Sequence, residues 1–238
     1  LADRLHAQVP AVGAPIASLM RRGCSFLTLY VAAARSGHAL VPLSVDHKDR
    51  AVEEMRWRQA RDLTGFVCFV VDDAGHERWA VLPDPKVDSL HINELMQSAP
   101  SGVSAAGGAP VQVMGEQTLA LVFTGGTTRA ARCVKITQAM VLHELKTYKE
   151  AVPRLRQQGG GQRVLQFSSA YWGAALLGEL DVALAAGGAA VFAEAVGPEA
   201  VWEAVCSCDV TVLGIVPALL THLPVEAAAR SSKLHTIL

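Results

Sequence analysis

Aromatic residues make up only 5% of this 238-residue chain, and charged residues 18%. So few rings leave little surface on which single-stranded nucleic-acid bases could stack. Neither sign of charge dominates: 21 Lys and Arg stand against 22 Asp and Glu, a formal net charge of −1. That balance argues against a basic groove for nucleic-acid phosphates and against electrostatic docking on a membrane. No apolar run reaches the roughly 20 residues a spanning helix needs. The most apolar stretch, Val182 to Ala193, is closed by Asp181 and Glu194. No signal peptide is legible, because Arg4 and His6 open an amphipathic segment with no cleavage site after an apolar run. A targeting segment upstream of Leu1 stays open. Neither nucleic acid nor a membrane is an expected partner.

Disulfide and metal patterns are lacking too. Five cysteines, an odd and scattered count, do not make a disulfide framework in a chain this large. Cys206 and Cys208 lack the second close pair of a zinc site, and the eight histidines show no HExxH or HxxxH spacing. No metal ligand set is expected. Reduced cysteines imply a cytoplasmic protein.

What is present is a large apolar fraction, 51%, enough for a sizeable core. Short β-rich runs alternate with helical patterns. Strands are predicted at Ile16–Leu19, Ala39–Leu43, Phe66–Val71, Arg78–Leu82, Leu119–Phe123, Cys133–Ile136, Val164–Phe167, Ala189–Phe192 and Val210–Ile215. Several are continuous apolar runs, as strands covered on both faces should be. Helices are predicted at Ser25–Ser36, Lys48–Asp62, Gln138–Val152, Ala174–Ala186 and Pro198–Ser207, with a short one after Pro217. Thr137 suits an N-cap and Pro153 a stop. This order implies an α/β fold: layered, parallel-rich sheets with packed helices. Residues 99–111, rich in Ala, Gly and Pro, read as a flexible connection.

The most informative segment is Leu119–Lys135, in which an apolar strand runs into Thr124, Gly125, Gly126, Thr127 and Thr128, followed by Arg129, Arg132 and Lys135. Adjacent glycines let consecutive backbone N–H groups converge on one point, threonine hydroxyls add donors, and the cations neutralise charge. A polyphosphate needs that set. A plain glycine-threonine turn between strands is the competing reading. It is neither a GxxxxGK[ST] loop nor a GxGxxG fingerprint, since the glycines are adjacent and a strand follows.

At these residues the chain resembles the adenylate-forming enzymes: acyl-CoA synthetases, luciferases and the adenylation domains of nonribosomal peptide synthetases. Their phosphate loop reads [ST]-SGTTG-x-PKGV. Thr124, Gly126, Thr127, Thr128 and Val134 match it, and Arg132 stands in the lysine position. Gly125, Arg129, Ala131 and Cys133 depart from it. Tyr30–Arg50 (YVAAARSGHALVPLSVDHKDR) is similar to the family's "LAVLKAGAAYVPLDPxxPxxR", and its Val-Pro-Leu reads closest to the peptide-synthetase branch. Leu1–Gln8, Leu184–Phe192, Val210–Leu220 and Ser231–Leu238 resemble further family segments, in family order.

The resemblance implies ATP-dependent activation of a small carboxylic acid as an acyl-adenylate, with magnesium accompanying the nucleotide and a CoA or carrier-protein thiol as acceptor. It implies that Thr124, Gly125, Gly126, Thr127 and Thr128 bind the ATP phosphates and that Arg132 supplies the catalytic charge. Tyr171 and Trp172 then fall at the strand end that faces the substrate in the family, and read equally as pocket lining or as core. The chain would correspond to roughly the first half to two-thirds of the large N-terminal domain, without the lid domain, and would be inactive alone. The aspartate with which amino-acid-activating members hold an ammonium has no counterpart in Phe167–Ala174, and Asp181 reads as a helix-surface residue. Trp57 and Trp202 read as core, and Lys48 to Glu54 as an exposed helix start with local ion pairs. Arg129, a long side chain where the family keeps glycine, favours an alternative: a degenerate, non-catalytic binding or scaffold module.

Overall fold

The computed structural model describes residues 1–81, 87–97, 114–124, 132–156, 161–194, 197–222 and 233–238. The predicted connection at 99–111 therefore lies outside the described residues. The chain divides into two compact units, Leu1–Met140 with Ala170–Trp172, and Val141–Ser169 with Gly173–Leu238.

In the first unit, β1 (Pro15–Met20), β2 (Ala39–Ser44), β3 (Cys68–Val71), β4 (Asp88–His91), β5 (Thr118–Phe123) and β6 (Cys133–Thr137) form one sheet, ordered β4-β3-β1-β2-β5-β6. All pairings are parallel except β5 with β6. Helices α1 (Ala2–Gln8), α2 (Cys24–Ser36), α3 (Arg50–Thr64), α4 (Asp73–Trp79) and α5 (Ile92–Gln97) connect or cover these strands. β1 and β2 are buried almost throughout, which is why they read as continuous apolar runs.

α3 begins where the Asp49 carboxylate accepts the Ala51 N–H at 2.9 Å, a side-chain N-cap. It buries Glu53, Trp57 and Ala60, a helical i, i+4, i+7 stripe. Trp57 is core, as expected. Glu53 is not part of an exposed helix start: it is 2% exposed, accepts the His47 N–H at 3.0 Å and lies 3.6 Å from the Arg78 guanidinium. Its place one turn before Trp57 forces it inward, and burial pushes its carboxyl above the usual range. The local pair on this helix is Glu54 with Arg58.

The strand predicted at Arg78–Leu82 is also corrected over Arg78–Val81, Leu82 lying outside the described residues. Arg78 and Trp79 end α4, nucleated when the Asp72 carboxylate accepts the Gly75 N–H at 2.8 Å. The strand of this region is β4, whose polar sequence DSLH gave no apolar run to read. α4 packs so closely on β1 that a Cβ on Gly75 would lie 1.7 Å from the Leu19 carbonyl oxygen.

α6 (Gln138–Ala151) starts with the Thr137 hydroxyl accepting the Met140 N–H at 3.3 Å and stops before Pro153, both as expected. In the second unit, β7 (Arg163–Gln166), β8 (Ala189–Phe192), β9 (Val212–Leu213) and β10 (Thr236–Ile237) form a parallel sheet ordered β10-β9-β7-β8. α7 (Asp181–Ala186), α8 (Pro198–Ser207) and α9 (Pro217–Leu220) accompany them. Trp202 packs in the core with Leu165, Val201 and Leu213, as expected. Asp181 is 1% exposed rather than on the helix surface. A π-helical turn, Ala175–Leu180, precedes it. Glu179, Leu180, Asp181, Val182 and Ala183 are buried in succession, so this stretch is covered on nearly every side and its charge does not place Asp181 at the surface. Among the described residues no helix is long and apolar enough to cross a membrane. All five cysteines are free thiols.

Two outcomes follow from the packing of the first unit. Gly75→Ala should destabilise the protein by about 3 kcal/mol or more, since the clash is with backbone, and urea unfolding checks it. His38 is 1% exposed with its ring centroid 6.2 Å from that of His6, and burial, reinforced by His6, lowers its pKa below 6.5. The unfolded chain thus binds the proton more readily. Stability is complete above pH 6.5 and falls as acidification proceeds through the depressed folded value. His38→Leu should flatten this slope of the urea midpoint between pH 7.5 and pH 5.5 (about one unit either side of an unperturbed imidazole). An unchanged slope would count against it.

Candidate functional site

β5 and β6 pair antiparallel with Phe123 opposite Cys133, Val122 opposite Val134 and Leu121 opposite Lys135. Beyond Phe123 the hairpin is closed by two hydrogen bonds. The Thr124 N–H donates to the Arg132 carbonyl at 3.0 Å, and the Arg132 N–H donates to the Thr124 hydroxyl oxygen at 3.4 Å. Thr124 and Arg132 are both exposed at this base. Because the Thr124 hydroxyl accepts inward, its own O–H remains a donor. Gly125, Gly126, Thr127 and Thr128 lie outside the described residues. Lys135 is exposed within the strand, three positions beyond Arg132. Thr124 follows β5 and Arg132 precedes β6, while residues 125–131, on which the expected loop falls, lie outside the described residues.

Next to the hairpin stands an aromatic cluster. The Tyr171 ring lies nearly parallel to Phe123, 7° between planes and 5.5 Å between centroids. Trp172 meets Tyr171 edge-on at 4.9 Å, and its backbone forms an isolated parallel bridge with Phe123. Offset-parallel and edge-on contacts are the favoured aromatic geometries. Tyr171 is 3% exposed, whereas Trp172 and Cys133 are half-buried. Arg56 of α3 completes the group: its guanidinium carbon is 4.4 Å from the Tyr171 centroid and 5.3 Å from that of Trp172. The sequence reading missed Arg56. The available signal was its helical position, one turn after half-buried Val52 and beside Trp57, at the rim of the buried stripe.

Burial pushes the Tyr171 hydroxyl up, with Arg56 opposing, and burial raises the Cys133 thiol as well. Both groups are therefore protonated at neutral pH, so neither serves as an anionic nucleophile. Phe123 and Tyr171 are thus core, and the cluster offers the half-buried Trp172 ring with one cation beside it, next to a strand hairpin whose base presents a hydroxyl donor and a second cation. Such a set can bind and orient anions. It suits a reaction in which the substrate brings its own nucleophile.

In the second unit, a buried carboxylate stands beyond Phe167–Ala174, where the sequence offered no aspartate. Glu179, on the π-helical turn, is 2% exposed and accepts the Ser168 hydroxyl at 2.6 Å and the Ser168 N–H at 3.3 Å. Gln166 Nε2 donates to the Ser168 carbonyl at 2.7 Å. These bonds hold the end of β7. Among the described residues, no group of three or more His, Cys, Asp or Glu converges as a metal site would require.

Comparison with known proteins gives a family and a fold. Solved structures with this fold include the N-terminal domain of FACL13 from Mycobacterium tuberculosis, bound to an inhibitor, with TM-score 0.76 and 20% identity. That match covers 99% of this chain and 58% of that N-terminal domain's chain. The Klebsiella oxytoca NpsA N-terminal subdomain, in complex with 3-hydroxybenzoyl-AMSN, matches with TM-score 0.75 and 19% identity, over 95% of this chain and 54% of that one. O-succinylbenzoate coenzyme A synthetase (MenE) from Bacillus subtilis, in complex with AMP, matches with TM-score 0.73 and 16% identity, over 99% and 57%. The chain thus spans somewhat more than half the length of these neighbours. No curated protein sequence matches it. The sequence does match the AMP-binding enzyme family over residues 1–237, and the chain belongs to that family.

Proposed function

We propose that this chain carries the phosphate-binding part of a ligase that activates a small carboxylic acid with ATP. The observation that carries the reading is the closed base of the β5–β6 hairpin, which sets Thr124 and Arg132 opposite each other at the mouth of a glycine- and threonine-rich segment. In this reaction a carboxylate oxygen bonds to the α-phosphorus while the bond from that phosphorus to the β-phosphate bridging oxygen breaks. Acyl-adenylate forms and pyrophosphate leaves. The protein's task is to hold the departing β,γ-phosphates in line and neutralise their charge. Thr124 donates its hydroxyl hydrogen and Arg132 its guanidinium. Gly125 and Gly126 supply backbone N–H groups, and Thr127 and Thr128 further hydroxyls.

Trp172, backed by Tyr171 and Phe123, forms the wall against which the acid's carbon skeleton lies. Magnesium would arrive with the nucleotide. No cluster of side-chain ligands among the described residues suits it, and no step is assigned to it. The acyl group then passes to a thiol, of CoA or of a carrier protein. The FACL13, NpsA and MenE likenesses support the fold on which this reading rests. A cytoplasmic setting fits the free cysteines.

The test is acid-dependent ATP–pyrophosphate exchange by the full-length gene product. Arg132→Ala should weaken ATP use by about 1.5–3 kcal/mol, the worth of a hydrogen bond to a charged group. Lys135→Ala should change it little, because a side chain fixed within the strand does not follow a phosphate. If folded Lys135→Ala proves the more damaging, the assignment of loop residues is wrong. Arg129, in place of the family's glycine, favours a non-catalytic module as the second reading. ATP binding without exchange, under any acid tried, would decide for it.

A further inference from the structure

We propose that Arg56 anchors a second carboxylate, so that the acid taken at this site is a dicarboxylic acid. This rests on the acid-activating reading above and names the substrate class within it. Three observations lead there. Arg56 lies over Tyr171 and Trp172 at 4.4 and 5.3 Å, a cation held against two rings. A guanidinium stacked on a ring still has its in-plane N–H donors, which match a carboxylate two at a time.

Next, no carboxylate among the described residues claims those donors. Its neighbours on α3 are engaged elsewhere: Glu54 pairs with Arg58, and Glu53 accepts the His47 N–H and faces Arg78. Arg22, the nearly buried cation after β1, is paired with Asp46 at 3.1 Å. Arg56 is thus a half-buried cation whose charge no carboxylate among the described residues compensates.

The third observation is position. Phe123 directly precedes Thr124, Tyr171 stacks on Phe123, and Arg56 lies over Tyr171. Arg56 is one ring removed from the strand end that opens the phosphate loop, where the reacting carboxylate must be free to attack phosphorus. A guanidinium clamped on that reacting group would hold back the lone pair that has to form the new bond. A charge at the far end of the acid has no such task, and a chain of methylenes can cross the aromatic wall between the two.

The experiment compares acids of equal carbon number on this chain by titration calorimetry without ATP: glutarate against pentanoate, and adipate against hexanoate. The dicarboxylates should bind at least about tenfold more tightly, the effect of one charge-assisted pairing. Arg56→Gln should weaken dicarboxylate binding more than monocarboxylate binding and so remove that preference, while Arg56→Lys should keep part of it. Equal affinities for the paired acids, no saturable dicarboxylate binding at millimolar concentration, or equal weakening of both acids in Arg56→Gln would overturn the proposal. Circular dichroism of each variant guards against misfolding. ATP titration of the same protein separates the two readings: loss of ATP binding with the dicarboxylate preference intact rejects the phosphate loop and spares Arg56. ATP binding with no preference does the reverse.

Discussion

The candidate site depends on one constraint, the antiparallel pairing of β5 with β6 inside a sheet that is otherwise parallel. A parallel continuation would have needed a crossover of a dozen or more residues after Phe123. The hairpin instead returns the chain at once, so that Arg132 faces Thr124 and Cys133 faces Phe123. The same reversal aligns Phe123 with the Tyr171–Trp172 segment, through one isolated bridge and one ring stack. Pairing and aromatic packing therefore fix the base that Thr124 and Arg132 form.

Behind this edge, the buried strands β1 and β2 provide the rigid support. Both are covered on both faces, and β2 pairs directly with β5. α3 packs its Trp57 stripe into the same core and thereby carries Arg56 to the rings. Most long charged side chains on a helix surface remain solvated. Arg56 is held because its helix turns that position toward two aromatics instead.

How much could be read beforehand follows from where each feature's information resides. β1, β2 and β5 were legible because a strand covered on both faces is apolar along most of its length. α3 was legible from its period, though its start was set at Lys48 because Asp49 was not read as the cap it is. β4 was not, since DSLH acquires its strand character only by pairing with β3. α4 carried a cap signal in Asp72, which the apolar Trp79–Leu82 run masked. Asp181 and Glu53 were misplaced because charge suggested solvent, where a stretch covered on nearly every side and a helical stripe dictated burial. The loop motif was legible as chemistry, through glycines, threonines and a following cation. Arg56 was not, since its ring partners lie far along the chain and the contact arises only in the folded unit.

The central claim, that the hairpin capped by Thr124 and Arg132 receives the phosphates of ATP, is tested most directly by amide chemical shifts of the labelled chain during titration. ATP and pyrophosphate should move the backbone amides from Thr124 to Arg132 most, and AMP should move them far less. Shifts concentrated elsewhere, with the amides of Thr124 and Arg132 unmoved by saturating ATP, would contradict the account.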